Sequence, residues 1–132
     1  MGLIGRKASA EALRQHAADE ETARRLPELL EAARQAEHAF HEAQRDDPEA
    51  DTPEVRRLSA ALDTALTDAM RAAYAKQRAL IGPRGYDDRI YRRKRSARPE
   101  VKEVTSLAES LLTLRERHRL HGPGGVLREP VA

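Results

Sequence analysis

The 132-residue chain has no cysteine, which excludes disulfides and every zinc or iron–sulfur centre built on thiolates. A small chain without disulfides fits the cytoplasm better than an oxidising compartment. Tryptophan is absent too, and the only aromatics are Phe40, Tyr74, Tyr86 and Tyr91. No apolar run approaches the roughly 18–20 residues that a membrane span needs. Residues 1–7 hold no stretch resembling a secretory signal, and the myristoylation pattern fails at Arg6. These absences predict a soluble, cytoplasmic protein.

Bulky apolar side chains are scarce: Leu, Ile, Val and Phe make up 24 of 132 residues. A share below about a fifth goes with disorder when net charge is high. Here the formal net charge is only +2, and the apolar residues recur at helical spacing. The expectation is ordered helices around a narrow, alanine-lined core. Such a core stabilises a monomer weakly, which favours a protein partner or a homo-oligomer.

Catalytic motifs are missing as well. There is no P-loop, no G-x-G-x-x-G, no H-E-x-x-H and no G-x-S-x-G. Ser9, Ser59, Ser96, Ser106 and Ser110 have no sequence neighbour that marks a nucleophile. The acidic stretch 46–51 departs from a calcium loop, with Thr52 in place of the required Gly and Leu58 in place of the bidentate Glu. No enzyme, no cofactor and no small-molecule substrate is expected.

What the chain does have is alanine, charge (35% of residues) and far more arginine than lysine. That bias suits a GC-rich genome, hence a bacterial or phage source. The apolar spacing predicts an all-α fold of three long amphipathic helices, at about 9–46, 53–81 and 97–121. They would pack as an antiparallel helical bundle or coiled-coil-like hairpin, a single domain over 9–121 between a flexible N-terminus (1–8) and a flexible tail (122–132).

Ser9 is a good cap for the first helix, and Glu20/Arg24 and Glu21/Arg25 are spaced for ion pairs. Pro27 cannot donate a backbone hydrogen bond and predicts a kink rather than a hairpin. Leu26, Leu29, Leu30, Ala33, Ala36, Phe40 and Ala43 form the stripe beyond it. Thr52-Pro53-Glu54 opens the second helix and Ile81-Gly82-Pro83 closes it. Val55, Leu58, Leu62, Leu66, Ala69, Ala73 and Leu80 mark its apolar face. Ser96 is the expected cap of the third, whose face is Val101, Val104, Leu107, Ala108, Leu111 and Leu114.

The 82–98 connector is long for a bundle. It carries Arg84, Arg89, Arg92, Arg93, Lys94, Arg95 and Arg98 against Asp87 and Asp88, a local net of +5 that leaves the remainder at −3. Arginine forks suit phosphates, and Tyr91 between them suits stacking on exposed bases. No recognition-helix motif accompanies the segment, so any nucleic-acid grip would be independent of sequence. The plainer alternative has the arginines paired with acidic segments and Tyr86, Ile90 and Tyr91 anchoring the loop.

Four histidines form two H-x-x-H pairs, His38/His41 and His118/His121, each spaced to face one ion. An up-down-up bundle would bring both pairs to one end. Against a metal site, His38 and His41 fall beside the apolar stripe, and histidine near a helix C-terminus already complements the macrodipole. His16 is expected to be exposed.

Two functions follow as expectations. The first is a non-enzymatic helical assembly or adaptor protein, of phage or mobile-element origin, acting through protein–protein contacts. The alternative is a nucleic-acid-binding accessory protein that grips phosphates through the basic 84–98 segment.

Overall fold

Ser9 is extended (φ −69°, ψ 164°), and its hydroxyl accepts the Ala12 N–H, as expected of a helix cap. From there the computed structural model, which describes residues 8–122, is helical throughout. It comprises α1 (Ala10–Arg24), α2 (Leu26–Ala43), α3 (Pro53–Ile81), a 3₁₀ turn (Pro83–Tyr86), α4 (Arg89–Arg95) and α5 (Pro99–His121). The expected three helices are thus five α-helices among the described residues, and the three-helix bundle is not found. The termini expected to be flexible lie outside the described residues but for Ala8 and Gly122.

The first expected helix is two. The Arg25 N–H turns back to the carbonyls of Thr22 and Ala23 and closes α1. Pro27 then stands in the first turn of α2, where no intrahelical donor is needed. The two helical pieces expected on either side of the proline are thus parted by a single residue, Arg25. At its far end α2 stops at Ala43 rather than near 46. The Gln44 side chain donates to the carbonyls of Pro48 and Ala50 at 3.1 and 3.2 Å, folding the acidic connector back on the helix end. The Thr52 hydroxyl caps α3 by accepting the Val55 N–H.

The described residues gather into two compact units: residues 8–26 with Arg71–Ala108, and Pro27–Met70 with 109–122. In the first, the buried residues include Ala12, Ala72, Ala73, Ala75 and Ala108, with Leu26, Ile81, Val101 and Val104 as the larger contributors. Each methyl stabilises by less than about 1 kcal/mol, against about 1.5–3 for a buried Leu or Ile. Polar cross-links supplement that modest core. Asp19 of α1 accepts both Nε and Nη2 of Arg78 (2.8 and 3.0 Å) and the Tyr86 hydroxyl. Gln77 of α3 donates to Thr105 of α5 at 2.8 Å.

His16 is half-buried, not exposed. Its ring meets the Ala79 carbonyl at 3.1 Å and stands edge-on to Tyr86. The pairing near it also differs from expectation, since Arg24 pairs with Glu21, three residues back.

The second unit has the bulkier core: Phe40, Val55, Leu62, Leu66 and Leu111, with Ala33 and Ala69. Here α3 and α5 run antiparallel, with Ser59 against His118 and Thr67 against Arg115. Arg119 clasps Asp63 through two hydrogen bonds of 2.6 and 3.0 Å. That hydrogen bond and the arginine charge outweigh the opposing burial and hold the Asp63 carboxyl below its ordinary range. No helix among the described residues is long and apolar enough to cross a membrane.

Candidate anion-binding surface on the fourth helix

The basic segment is not a loop. Gly82 (φ 104°, ψ 168°) breaks α3 in a region of backbone space open essentially to glycine alone. One 3₁₀ turn later the Asp88 side chain accepts the Tyr91 N–H at 3.0 Å and starts α4. That bond, joined by the attraction of Arg84, outweighs desolvation and keeps the Asp88 carboxyl below its ordinary range. Ser96 does not cap α5. It ends α4 instead, its hydroxyl donating to the Arg92 carbonyl at 2.7 Å. The carbonyl of Arg98 accepts the first bonds of α5.

The eight residues expected to form the site divide into two groups. Arg84, Tyr91, Arg92 and Arg95 hold the segment together. The guanidinium carbons of Arg84 and Arg95 lie 4.7 and 5.2 Å from the Tyr91 ring centre, within cation–π range. Arg92 donates to the Gly85 carbonyl at 2.9 Å, and Arg84 sits 3.5 Å from Asp88. Tyr91, the residue expected to stack on bases, is therefore engaged by its own neighbours.

The second group is Arg89, Arg93, Lys94 and Arg98. All four are exposed, with no hydrogen-bonding or ion-pair partner among the described residues. The reason is written in the spacing. Arg14, Arg24, Arg34, Arg45, Arg56 and Arg57 each pair with a carboxylate three to five residues earlier. At those offsets Arg89, Lys94 and Arg98 find no acid, and Arg93 finds only Asp88, which is committed to the cap.

Beside these cations lies an open hollow of about 890 Å³ between the last turn of α3 and α4. Ile81 is buried against it, Arg89 and Arg93 line it, and Ile90 stands at it 70% exposed. Of the three residues expected to anchor the segment on the bundle, Tyr86 reaches α1, Tyr91 is held by Arg84 and Arg95 of the segment itself, and Ile90 is exposed. Tyr86 holds it to α1 through Asp19, and burial together with that hydrogen bond raises its hydroxyl well above the ordinary tyrosine range. Asp87, also at the hollow, accepts the Ser9 N–H at 3.0 Å.

The four-histidine site that the spacing allowed, and that the sequence argued against, is not assembled. His38 and His41 are exposed, while the His118 ring is turned onto Ser59 and edge-on to Phe40 at 5.1 Å. His41, His118 and His121 border a separate hollow of about 410 Å³ in the second unit. Yet among the described residues no three His, Asp or Glu side chains gather as metal ligands do.

The Ser59–His118 contact, which sequence did not foreshadow, has the 3.0 Å distance of a nucleophile and its base. His118 Nε2 is also 2.9 Å from the Ser59 carbonyl. A carbonyl only accepts, so the tautomer that makes both contacts has the hydrogen on Nε2 and donates to Ser59 rather than taking its proton. The pair satisfies a buried serine instead. Asp19 and Arg78 were equally invisible in sequence, being 59 residues apart. Asp88 had a visible signal, an acid just before a helical run, but was read only as charge.

Compared with protein-family models, with curated proteins and with solved structures, the chain matches none.

Proposed function

We propose that this protein is a non-enzymatic helical adaptor that works through protein–protein contacts, with the outer face of α4 as its working surface. One observation carries the reading: four unpaired cations fall within ten residues, in a chain whose other arginines mostly sit in ion pairs. Three of them, Arg89, Arg93 and Lys94, stand on a helix of seven residues, about 10 Å long, with Arg98 three residues past its end, and they offer carboxylates a compact patch. Asp87 and Asp88 keep their charge beside the patch, Asp88 with Arg84 at 3.5 Å, and they leave the 82–98 segment at a net of +5.

The same cations favour a second reading, in which the ligand is a nucleic-acid backbone gripped without regard to sequence. The two share one test of the surface itself. Labelled polyglutamate, a random-sequence duplex and a single strand are titrated with the protein at low and physiological salt. Replacing Arg89, Arg93, Lys94 and Arg98 together by Gln should weaken whatever binds by about tenfold or more, from a few tenths of a kcal/mol per exposed charge. Binding that ignores these four substitutions, or no binding to any polyanion at low salt, removes α4 as the working surface.

A further inference from the structure

We infer that the partner held on α4 is an acidic protein segment carrying an apolar side chain among its carboxylates, with Ile90 as the apolar contact. This rests on the reading of α4 as the working surface and names what that surface takes.

Ile90 has the highest exposure of the large apolar side chains among the described residues, at 70%, against 53% for Leu13 and under 40% for the others. It is the second residue of α4, just behind the Asp88 cap. It sits on α4 one turn from Arg93 and Lys94 and next to Arg89, so its neighbours on the helix surface are the unpaired cations. The exposure follows from the wheel. Tyr91 and Arg95, four apart, take the face that closes on Arg84, and Ile90 falls outside that face with nothing above it.

Three features set a protein segment above a nucleic acid. A phosphate backbone offers nothing apolar to cover an isoleucine, whereas an acidic amphipathic helix presents carboxylates flanking an aliphatic side chain. Tyr91, which a single strand needs for stacking, already has Arg84 and Arg95 within cation–π distance of its ring. The hollow also includes Asp87 and Asp88. A sparse set of carboxylates tolerates those two acids better than a continuous run of phosphates does. Interface hot spots pair a desolvated apolar or arginine anchor with a polar rim, and here Ile90 is rimmed by Arg89, Arg93 and Lys94.

The test uses the full chain and three labelled probes: a helical peptide of Glu and Ala, the same peptide with one central Leu, and a random-sequence duplex. Each is titrated against the wild type and Ile90→Ser. Ile90 is exposed, so the variant should keep the wild-type circular dichroism. The expected result is that the Leu peptide binds about five- to tenfold more tightly than the Ala peptide. That advantage should vanish in Ile90→Ser while binding of the Ala peptide stays the same. Equal binding of the two peptides, or an advantage that survives Ile90→Ser, overturns the inference and leaves the cationic surface standing. A duplex bound more tightly than the Leu peptide overturns it in favour of nucleic acid. Light scattering of the free protein provides the last arm: a mass that grows with concentration, and stops growing in Ile90→Ser, puts a second copy on the site and overturns the acidic segment. No binding of any probe at low salt overturns both the inference and the reading beneath it.

Discussion

Replacing Asp19 by Asn tests whether polar cross-links supplement the alanine-rich unit. The Asp19 carboxylate is 15% exposed and takes two hydrogen bonds from Arg78 and one from the Tyr86 hydroxyl. Asn keeps the shape but removes the charge and turns an NH₂ towards donors. Hydrogen bonds to a charged group contribute about 1.5–3 kcal/mol, and a buried donor left without a partner costs about 1–3. Arg78 is 45% exposed, so water recovers part of its loss and the lower end applies. The expected destabilisation at neutral pH is about 1–2 kcal/mol, a fall in Tm of roughly 3–10 °C for a chain this size.

The pH dependence gives that figure a signature. Burial raises the Asp19 carboxyl, but the hydrogen bonds from Arg78 and Tyr86, with the arginine charge, outweigh it and leave the group below its ordinary range. A lowered carboxyl stabilises the fold fully above the unfolded value, near 3.9. That contribution is lost as pH falls through the folded value. Thermal and urea melts of the wild type and Asp19→Asn, followed at 222 nm, should therefore differ at pH 7 and converge as the carboxylate is protonated. A difference under about 0.3 kcal/mol at pH 7, or one that persists unchanged in acid, would refute the reasoning.

Gly82→Ala should cost about 1–3 kcal/mol wholly through the backbone, since a methyl there meets nothing within 4 Å yet φ is +104°; denaturant melts with unchanged slope and a lower midpoint would show it, and an unchanged midpoint would contradict the turn geometry. Ala73→Leu, at a fully buried position, should destabilise by about 1–3 kcal/mol through overpacking, whereas a gain in stability would mean the alanine core has room. Asp88→Ala removes the cap from α4, so amide exchange over residues 89–95 should quicken while α3 and α5 keep their protection; loss of protection everywhere would make Asp88 a global determinant instead. In the wild type the same cap should loosen as pH falls through the lowered Asp88 value, giving faster exchange of the Tyr91 amide in acid once the intrinsic pH effect is divided out.

The features legible in the sequence were those set by neighbours a few residues apart. The Ser9 and Thr52 caps act over three residues, and Val55, Leu62, Leu66, Ala69 and Ala73 of the expected stripe are buried, whereas Leu80 and Leu114, expected on the apolar faces of α3 and α5, are 37% and 38% exposed. Pro27 was local too, yet ambiguous, because a proline that breaks one helix can equally stand in the first turn of the next. The structure puts the break at Arg25, whose N–H turns back to Thr22 and Ala23. The clasp among Asp19, Arg78 and Tyr86 left no trace, because each residue is one charged or polar side chain among many until the fold brings them together. The two histidine pairs show the same limit in reverse. Spacing made them look alike, but His118 has a buried serine to satisfy and His38 and His41 do not.

The charge of α4 asks for an explanation that folding does not provide. Seven residues fall well short of the ~12–15 that make even a good helix former marginal in water. Arg89 and Arg93 also set like charges four apart on α4, which costs a few tenths of a kcal/mol. Cations near a helix C-terminus recover some of this from the macrodipole, but Arg89 opens α4 and gains nothing there. The Asp88 cap, the Arg92 bond to Gly85 and the cations beside Tyr91 hold the helix in spite of its outer residues. Neutral side chains at positions 89, 93 and 94 would serve the fold better. Cations at those positions around an uncovered isoleucine are what the proposed anionic, partly apolar partner would need, which is why the proposal rests on α4.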